Sequence, residues 1–251
     1  KLQVNQISIS PLYLFIKLLS YTLTMIKSHG DKKLDNPVWF SLCESHQNFA
    51  VNYNHIKFYQ PDYCPFGGFT TTRGISKHIE EYATLVDNFF IVGNKPKLSN
   101  QALLKKELVC LQMIIKNGID LEIKENITAL TNEHSAALFK LVNAVQPGYF
   151  KNKTALLGDY YGIFKNNELI AVAGERMKMF DFIEVSAIVT HPLHTGKGYA
   201  KQLIAHTVNN IFMKNKTPYL HVLENNFAAI KLYEKLGFTT RRKISFWNIA
   251  K

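Results

Sequence analysis

The chain has 251 residues, 47% hydrophobic and 20% charged, which is the composition of a folded globular protein and excludes an intrinsically disordered one. Its net charge of +11 could attract phosphates, nucleic acid or an acidic surface. The basic residues are scattered and no nucleic-acid motif accompanies them, so we expect a solvated basic surface and no nucleic-acid partner. Cys43, Cys64 and Cys110 are few, odd in number and far apart, which argues against a disulfide framework or a zinc site and suits the reducing cytoplasm.

Residues 1–34 are interpreted as an N-terminal extension that can be helical. The apolar run from Leu12 to Ile26 is interrupted by Lys17 and is too short to span a bilayer comfortably, so we expect no stable membrane span. A signal peptide would need a small-residue cleavage site, which is missing. Met25 as the natural start is a further alternative that the sequence leaves open.

Residues 35–118 are predicted to form a smaller α/β domain. Asn36 followed by Pro37 is typical of a helix start, with a cap and then proline at the first helical position. Periodicity predicts a helix over 75–86 and a strand over 88–92, and leaves 103–115 open between strand and helix.

The N-terminal domain shows no catalytic constellation in its sequence. His46, His55 and His78 are too dispersed for a metal site, and we expect them to lie on the surface. The predicted role of this domain is to pack against the rest of the chain and to shape the acceptor pocket.

Residues 119–251 follow a turn at Asn117-Gly118 and show a regular alternation of elements. The predicted order is strand, helix, three strands, helix, strand, helix and strand. The first helix, capped by Thr131 or Asn132, is expected to end near Val145, and a polar turn at 165–168 joins two strands as a hairpin.

The stretch from Phe182 to Ala200 predicts an anion site. Phe182 to Thr190 is an apolar, β-branched run typical of a buried strand, and Pro192 ends it. A glycine loop at 194–198 then leads into a helix, so free backbone N–H groups and the positive end of the helix dipole converge. The glycine spacing fits neither a P-loop nor a dinucleotide fingerprint, and taken alone it is equally typical of a tight turn.

A downstream pattern, Asn226-x-x-Ala-Ile-x-Leu-Tyr-Glu-Lys-Leu-Gly-Phe238, resembles the second cofactor motif of the GNAT acetyltransferase superfamily. The glycine loop resembles the first motif, in the expected order and spacing. It departs from the usual form because Leu193 stands at the Arg or Gln position and Thr195 precedes Gly196. Pro147-Gly148-Tyr149-Phe150 and the segment to Ala200 are similar to a bacterial subgroup that carries an extra N-terminal domain.

The resemblance implies an α/β GNAT fold, a mixed and mostly antiparallel sheet flanked by helices, with acetyl-CoA as co-substrate and no metal. It implies an N-acetyltransferase that moves acetyl to a primary amine of a small molecule or peptide by direct attack, as a monomer or homodimer. Ile188, Val189 and Thr190 would offer backbone groups to the pantetheine arm and thioester oxygen, Asn226 would bond that arm, and Tyr233 would contact the cofactor. His194, Thr195, Gly196, Lys197, Gly198, Tyr199 and Ala200 would hold the pyrophosphate.

Tyr233 and Glu184 are the candidate catalytic residues. By resemblance, the Tyr233 hydroxyl protonates the sulfur, the alternative being a Tyr that only packs. Glu184 lies in an apolar strand, where desolvation is expected to raise its pKa and suit it to act as a base. The equally weighted alternative is an ion pair with Arg176, and Glu175 and His191 are weaker candidates.

Two alternatives to this function stay open. A protein with this fold could bind acetyl-CoA as a regulator with little turnover, or it could use a longer acyl-CoA. The identity of the acceptor is not encoded in these motifs.

Overall fold

The computed structural model describes residues 31–99 and 102–251, so the predicted helix in the N-terminal extension lies outside the described residues. A 3-10 turn at Lys32–Asp35 belongs to a unit that ends at Asp35, and Asn36–Lys251 form a second compact unit. Within the described ranges, the helices are too short or too polar to cross a membrane.

All described strands of Asn36–Lys251 belong to one sheet in the order β1-β2-β3-β4-β11-β5-β10-β9-β8-β7-β6. The strands are β1 Ala50–Asn52, β2 Ile56–Tyr59, β3 Phe66–Phe69, β4 Asn88–Val92, β5 Leu103–Ile114, β6 Ile127–Leu130, β7 Tyr160–Lys165, β8 Glu168–Lys178, β9 Phe182–Thr190, β10 Thr217–Leu223 and β11 Thr239–Ala250. The α-helices are α1 Pro37–Cys43, α2 Ile75–Ala83, α3 Ser135–Val145, α4 Tyr199–Met213 and α5 Phe227–Lys235. This mixed, mostly antiparallel sheet flanked by helices confirms the predicted fold class.

The strand order is mirrored about the central antiparallel pair of β11 and β5. On one side β4 is parallel to β3, and on the other β10 is parallel to β9. The N-terminal half of the chain ends in β5 and the C-terminal half ends in β11, and these two strands exchange sides at the centre of the sheet. β5 pairs with β10, and β11 pairs with β4. The sheet therefore runs continuously across residue 118, and the division into domains 35–118 and 119–251 stays a prediction.

Helix α4 positions the loop that precedes it. Its buried side chains include Leu203, Ile204, Val208 and Ile211, which recur at helical spacing. Three of them, Ile204, Val208 and Ile211, share a core cluster with β5, β9 and β10. Full burial of one such side chain contributes about 1.5–3 kcal/mol, so this face fixes the helix firmly against the sheet.

His46 does not lie on the surface, and that prediction was wrong. The side chain is buried, and its ring bonds the Tyr59 hydroxyl at 2.8 Å and the Leu157 carbonyl at 2.9 Å. Burial lowers the pKa of His46 to about 4, so the ring stays neutral. His46 thus connects β2 to the C-terminal half, a long-range contact that sequence spacing does not reveal.

Candidate active site

Strands β9 and β10 are paired only at their beginnings. The parallel register joins Phe182 to Thr217 and ends where Glu184 faces Tyr219. Beyond that point β9 runs on to Thr190 and β10 to Leu223 without pairing to each other. The two strands therefore part beyond Glu184, which leaves backbone groups of β9 free on the side that faces β10.

A β-bulge bends β9 within the splay. Its register with β8 shifts between the pairs Gly174–Ser186 and Val172–Val189, which places one extra residue in β9. Ala187 there has φ +50°, a left-handed conformation that costs a non-glycine residue about 1 kcal/mol or more. Sequence patterns did not predict this bulge, and the successive residues 184–188 around it all line the cavity.

A cavity of about 250 Å³ occupies the fork between the two strands. Four predicted site residues line it together: Glu184, Ile188, Asn226 and Tyr233. The N-terminal half contributes Phe66 from β3 and Leu108 and Cys110 from β5 to the opposite wall. The N-terminal half thus helps to enclose the cavity.

The glycine loop follows β9 at the same end of the strand. Gly196 and Gly198 both have left-handed backbones, with φ of +77° and +78°, and α4 begins directly afterwards. In the part of the chain that the structure describes, the N–H groups of residues 196–198 have no backbone partner. A Cβ at Gly196 would meet no atom within 4 Å, so this backbone is open to an approaching ligand.

The other predicted loop residues contribute in different ways. The Thr195 hydroxyl donates to the Pro192 carbonyl and stabilises the turn. His194 Nδ1 is buried and has no hydrogen-bond partner within the described ranges, a feature that an anion or its water shell would satisfy. The Tyr199 side chain packs into the core, so Tyr199 and Ala200 offer the backbone of the first helical turn, whose N–H groups lack intrahelical partners.

Val189 and Thr190 pair with β8 through Val172 and Ala171 and do not line the cavity. Asn226 has a structural task, because its Oδ1 accepts a hydrogen bond from the Ala229 N–H at 3.2 Å and caps α5. The Asn226 amide NH₂ is left for a ligand. Of the predicted pantetheine contacts, Ile188 and Asn226 therefore line the cavity.

Tyr233 lies on α5 and is 8% exposed. Burial raises the pKa of its phenol to about 12, so the hydroxyl keeps its proton at neutral pH. No described residue forms a hydrogen bond with that hydroxyl, which leaves it able to donate to a ligand in the cavity.

Glu184 does not have the raised pKa that its buried position predicted. Burial does oppose its charge, but the Arg176 guanidinium donates through Nε and Nη2 at 2.8 Å each, and the His221 ring bonds it at 2.8 Å. These partners lower the pKa of Glu184 to about 2. The expected rise in the pKa of Glu184 was wrong because Arg176 on β8 and His221 on β10 outweigh desolvation. The alternative, an ion pair with Arg176, fits the geometry.

His221 is a site residue that the sequence did not single out. Its Nδ1 bonds Glu184, and its Nε2 lies 3.1 Å from Gln112 Nε2. Since an amide NH₂ only donates, His221 Nε2 is the acceptor. Arg241 Nη1 donates to Gln112 Oε1 at 3.0 Å and holds the amide in that orientation. The sequence did contain one signal for His221, which is an ionisable residue between Leu220 and Val222 in an apolar strand.

The two weaker base candidates lie elsewhere. Glu175 is buried away from the cavity lining and pairs with Lys178 and Lys214. His191 accepts a hydrogen bond from the Leu193 N–H and is a loop residue. Among the described residues no group of histidine, cysteine and acidic side chains could hold a metal ion.

Comparisons with known proteins agree with this geometry. A family model described as FR47-like protein matches residues 160–247. The spermine/spermidine N(1)-acetyltransferase of Bacillus subtilis strain 168 is 25% identical over 139 residues, which cover 48% of this chain and 91% of that protein.

Solved structures cover more of the chain. A protein described as an acetyltransferase of the GNAT family from Novosphingobium aromaticivorans DSM 12444 is 29% identical, with a TM-score of 0.77 over 87% of this chain and 98% of that one. A GCN5-related N-acetyltransferase-like protein of Streptococcus suis 89/1591 shares the fold at 12% identity, with a TM-score of 0.57 over 83% and 92% of the two chains. These matches agree with the resemblance of the two motifs to the GNAT superfamily and support acyltransferase activity of that type.

Proposed function

We propose that this protein transfers the acetyl group of acetyl-CoA to a primary amine by direct attack of the amine. The observation that carries the proposal is the cavity at the fork of β9 and β10, where Tyr233 and Asn226 meet free strand backbone beside an open glycine loop. The second motif supplies Asn226 and Tyr233 to the cavity, and the glycine loop follows the strand that borders it, which supports the proposal.

Residues of this chain would hold acetyl-CoA along that path. The N–H groups of residues 196–200 would bind the pyrophosphate, with Lys197 adding positive charge, because a helix N-terminus favours an anion. The backbone of residues 188–190 and the Asn226 amide would hold the pantetheine arm. Bound acetyl-CoA supplies an activated thioester, whose carbonyl is the electrophile.

Tyr233 would then protonate the departing sulfur. Its phenol keeps its proton, lines the cavity and has no competing partner among the described residues. The free backbone N–H groups of β9 would stabilise charge that develops on the carbonyl oxygen. Both groups are fixed by secondary structure, so they need no rearrangement when charge develops.

The Tyr233→Phe variant tests this role. We expect the kcat of acetyl transfer to fall on the order of 100-fold, since general acid catalysis contributes about that much, with the Kd for acetyl-CoA unchanged. Tyr63→Phe, which alters a tyrosine outside the cavity lining, is the control. Coenzyme A release measured with a thiol reagent gives kcat, and titration calorimetry gives Kd. Equal kcat for Tyr233→Phe and wild type would remove Tyr233 as the acid.

A second candidate function is acetyl-CoA binding with little turnover. The observation that favours it is Glu184, whose bonds to Arg176 and His221 leave it poorly suited to act as a base. Thermal unfolding with acetyl-CoA, with a longer acyl-CoA and with NAD identifies the ligand, and an amine panel then separates the candidates. A ligand-induced shift without acetyl transfer to any amine supports the binding protein.

A further inference from the structure

The carboxylate in the cavity has no free position for a proton. Glu184 Oε1 accepts from Arg176 Nη2 and His221 Nδ1, and Oε2 accepts from Arg176 Nε at 2.8 Å and from the Met177 N–H at 3.5 Å. A carboxylate has about four lone-pair sites, and here all are used. The side chain is 1% exposed, so no water-filled face is left either.

The other ionisable groups of the lining do not replace it. Burial raises the pKa of the Cys110 thiol and the Tyr149 phenol, as it does for Tyr233, so all three hold protons at neutral pH. Arg176 is a permanent cation. Both ring nitrogens of His221 are engaged, Nδ1 with Glu184 and Nε2 with the Gln112 amide.

The described residues of the lining also offer no anionic site for a second positive charge. Its charged lining residues are Arg176 and Glu184, which neutralise each other. Phe66, Leu108 and Phe246 make part of the wall apolar or aromatic, and Gln146 and Ser186 add polar groups without charge. The Arg176 guanidinium lies 4.7 Å from the centre of the Phe66 ring, which closes that side further.

We propose that the acceptor carries one amino group of low basicity on an apolar body, such as the α-amine of an amino-acid amide or peptide, and is not a polyamine. This inference rests on the proposed function. An amine that finds no base must lose its proton to water before it attacks. At pH 7.5 roughly a third of an α-amine with pKa 7.7–8.0 is free, against about a thousandth of an alkyl amine with a lysine-like pKa of 10.4.

Four acceptors test the proposal with the full chain and acetyl-CoA: phenylalaninamide, phenylethylamine, β,β-difluorophenylethylamine and spermidine. The first three share an aromatic body, and fluorine lowers the basicity of the amine without adding a carbonyl. At pH 7.5 we expect kcat/KM for phenylalaninamide to exceed that for phenylethylamine by up to about 300-fold, the ratio of the two free-amine fractions. The difluoro amine should approach phenylalaninamide, and spermidine should be the poorest.

The pH profile separates the amine from the enzyme as the source of the proton. We expect kcat/KM for phenylethylamine to rise about tenfold per pH unit up to the pKa of the amine, with the same slope in wild type and in Glu184→Gln. Asp62→Asn, an exposed acid outside the cavity, is the matched control.

Each outcome decides between the statements. Equal use of phenylethylamine or spermidine and phenylalaninamide at pH 7.5 overturns the inference and leaves the proposed function standing. A flat wild-type profile below the pKa of the amine, replaced by a rising limb in Glu184→Gln, does the same, because Glu184 would then take the proton. Acetyl-CoA binding without transfer to any of the four amines overturns the proposed function and the inference together.

Discussion

The molecule contains two parallel strand–helix–strand units, and the candidate site lies at the fork of the second. β3, α2 and β4 form the first, and β9, α4 and β10 form the second. Each helix starts at a glycine in the left-handed region, Gly74 with φ +74° and Gly198 with φ +78°. The two units are therefore alike in their glycine-capped helix start, the sequence feature that most resembles a phosphate loop.

They differ in what covers the strand after the paired segment. In the first unit Gly67 lies under the Phe58 ring, and a Cβ on Gly68 would come within 2.7 Å of Asn36 Oδ1. The Asn36 amide also donates to the Phe69 carbonyl at 2.7 Å, so α1 occupies this edge. In the second unit the strands part for several residues and the bulge at Ala187 turns β9 into the opening.

The connection after the second strand differs as well. Helix α5, which carries Asn226 at its cap and Tyr233 within it, follows β10. Between β4 and β5 the described residues contain no helix. A glycine-capped helix after a parallel strand is therefore insufficient for this site, which also needs an uncovered strand edge and a second helix that carries polar groups.

The largest expected effect on cofactor affinity comes from placing the same charge in both loops. Gly198→Asp should weaken acetyl-CoA binding about 100-fold, which corresponds to about 2.7 kcal/mol, because a carboxylate would face the pyrophosphate. Gly74→Asp is the matched control, since it carries the same left-handed strain and a Cβ there meets no atom within 4 Å. Titration calorimetry measures both affinities, and circular dichroism checks the fold.

Two results would break the comparison. Wild-type affinity in Gly198→Asp would mean that the second loop does not bind the pyrophosphate. A comparable loss in Gly74→Asp would mean that the first unit contributes to cofactor binding.

The next effect concerns the ion pair at the point of the fork. Arg176→Met leaves Glu184 buried without its main partner, which should cost roughly 3–5 kcal/mol of unfolding free energy at pH 7. Lys153→Met removes an exposed pair with Asp62, 50% and 61% exposed, and should cost at most about 1 kcal/mol. Urea unfolding measures both.

The pH dependence has a definite sign. The folded pKa of Glu184, about 2, lies below its unfolded value of about 4.3, so its contribution is complete above pH 4.3 and is lost as pH falls towards 2. In Arg176→Met burial raises that pKa, and protonation relieves the buried charge. The gap between variant and wild type should therefore shrink below about pH 4; a constant gap from pH 7 to pH 3.5 would contradict the assigned charge state.

Local patterns predicted much of the fold. The β-branched run Phe182–Thr190 forms β9 with those bounds, and β4 is Asn88–Val92 as expected, because each run is closed by loop residues. Periodicity did not decide between strand and helix over 103–115. The outcome, β5, is set by pairing with β10 and β11, more than a hundred residues later in the chain.

The site was predictable to the extent that it is encoded in consecutive residues. The glycine loop, Asn226 and Tyr233 stand in motifs, and the structure brings Asn226 and Tyr233 to one cavity. The charge state of Glu184 depends on Arg176 across the hairpin and on His221 across the fork. The burial of Glu184 could be inferred from its apolar strand. The partners Arg176 and His221, which reverse the effect of burial on its pKa, could be identified only from the register of β8, β9 and β10.

The smallest expected effect tests whether the first unit is closed for structural reasons alone. In Gly68→Ala the new Cβ would meet Asn36 Oδ1 at 2.7 Å and the Trp39 N atom at 2.9 Å, and such overpacking costs about 1–3 kcal/mol. Thermal unfolding should show this loss while calorimetry shows an unchanged Kd for acetyl-CoA, because the substitution lies on the closed edge. A weaker Kd with unchanged stability would place part of the cofactor site in the first unit and would reverse the distinction between the two.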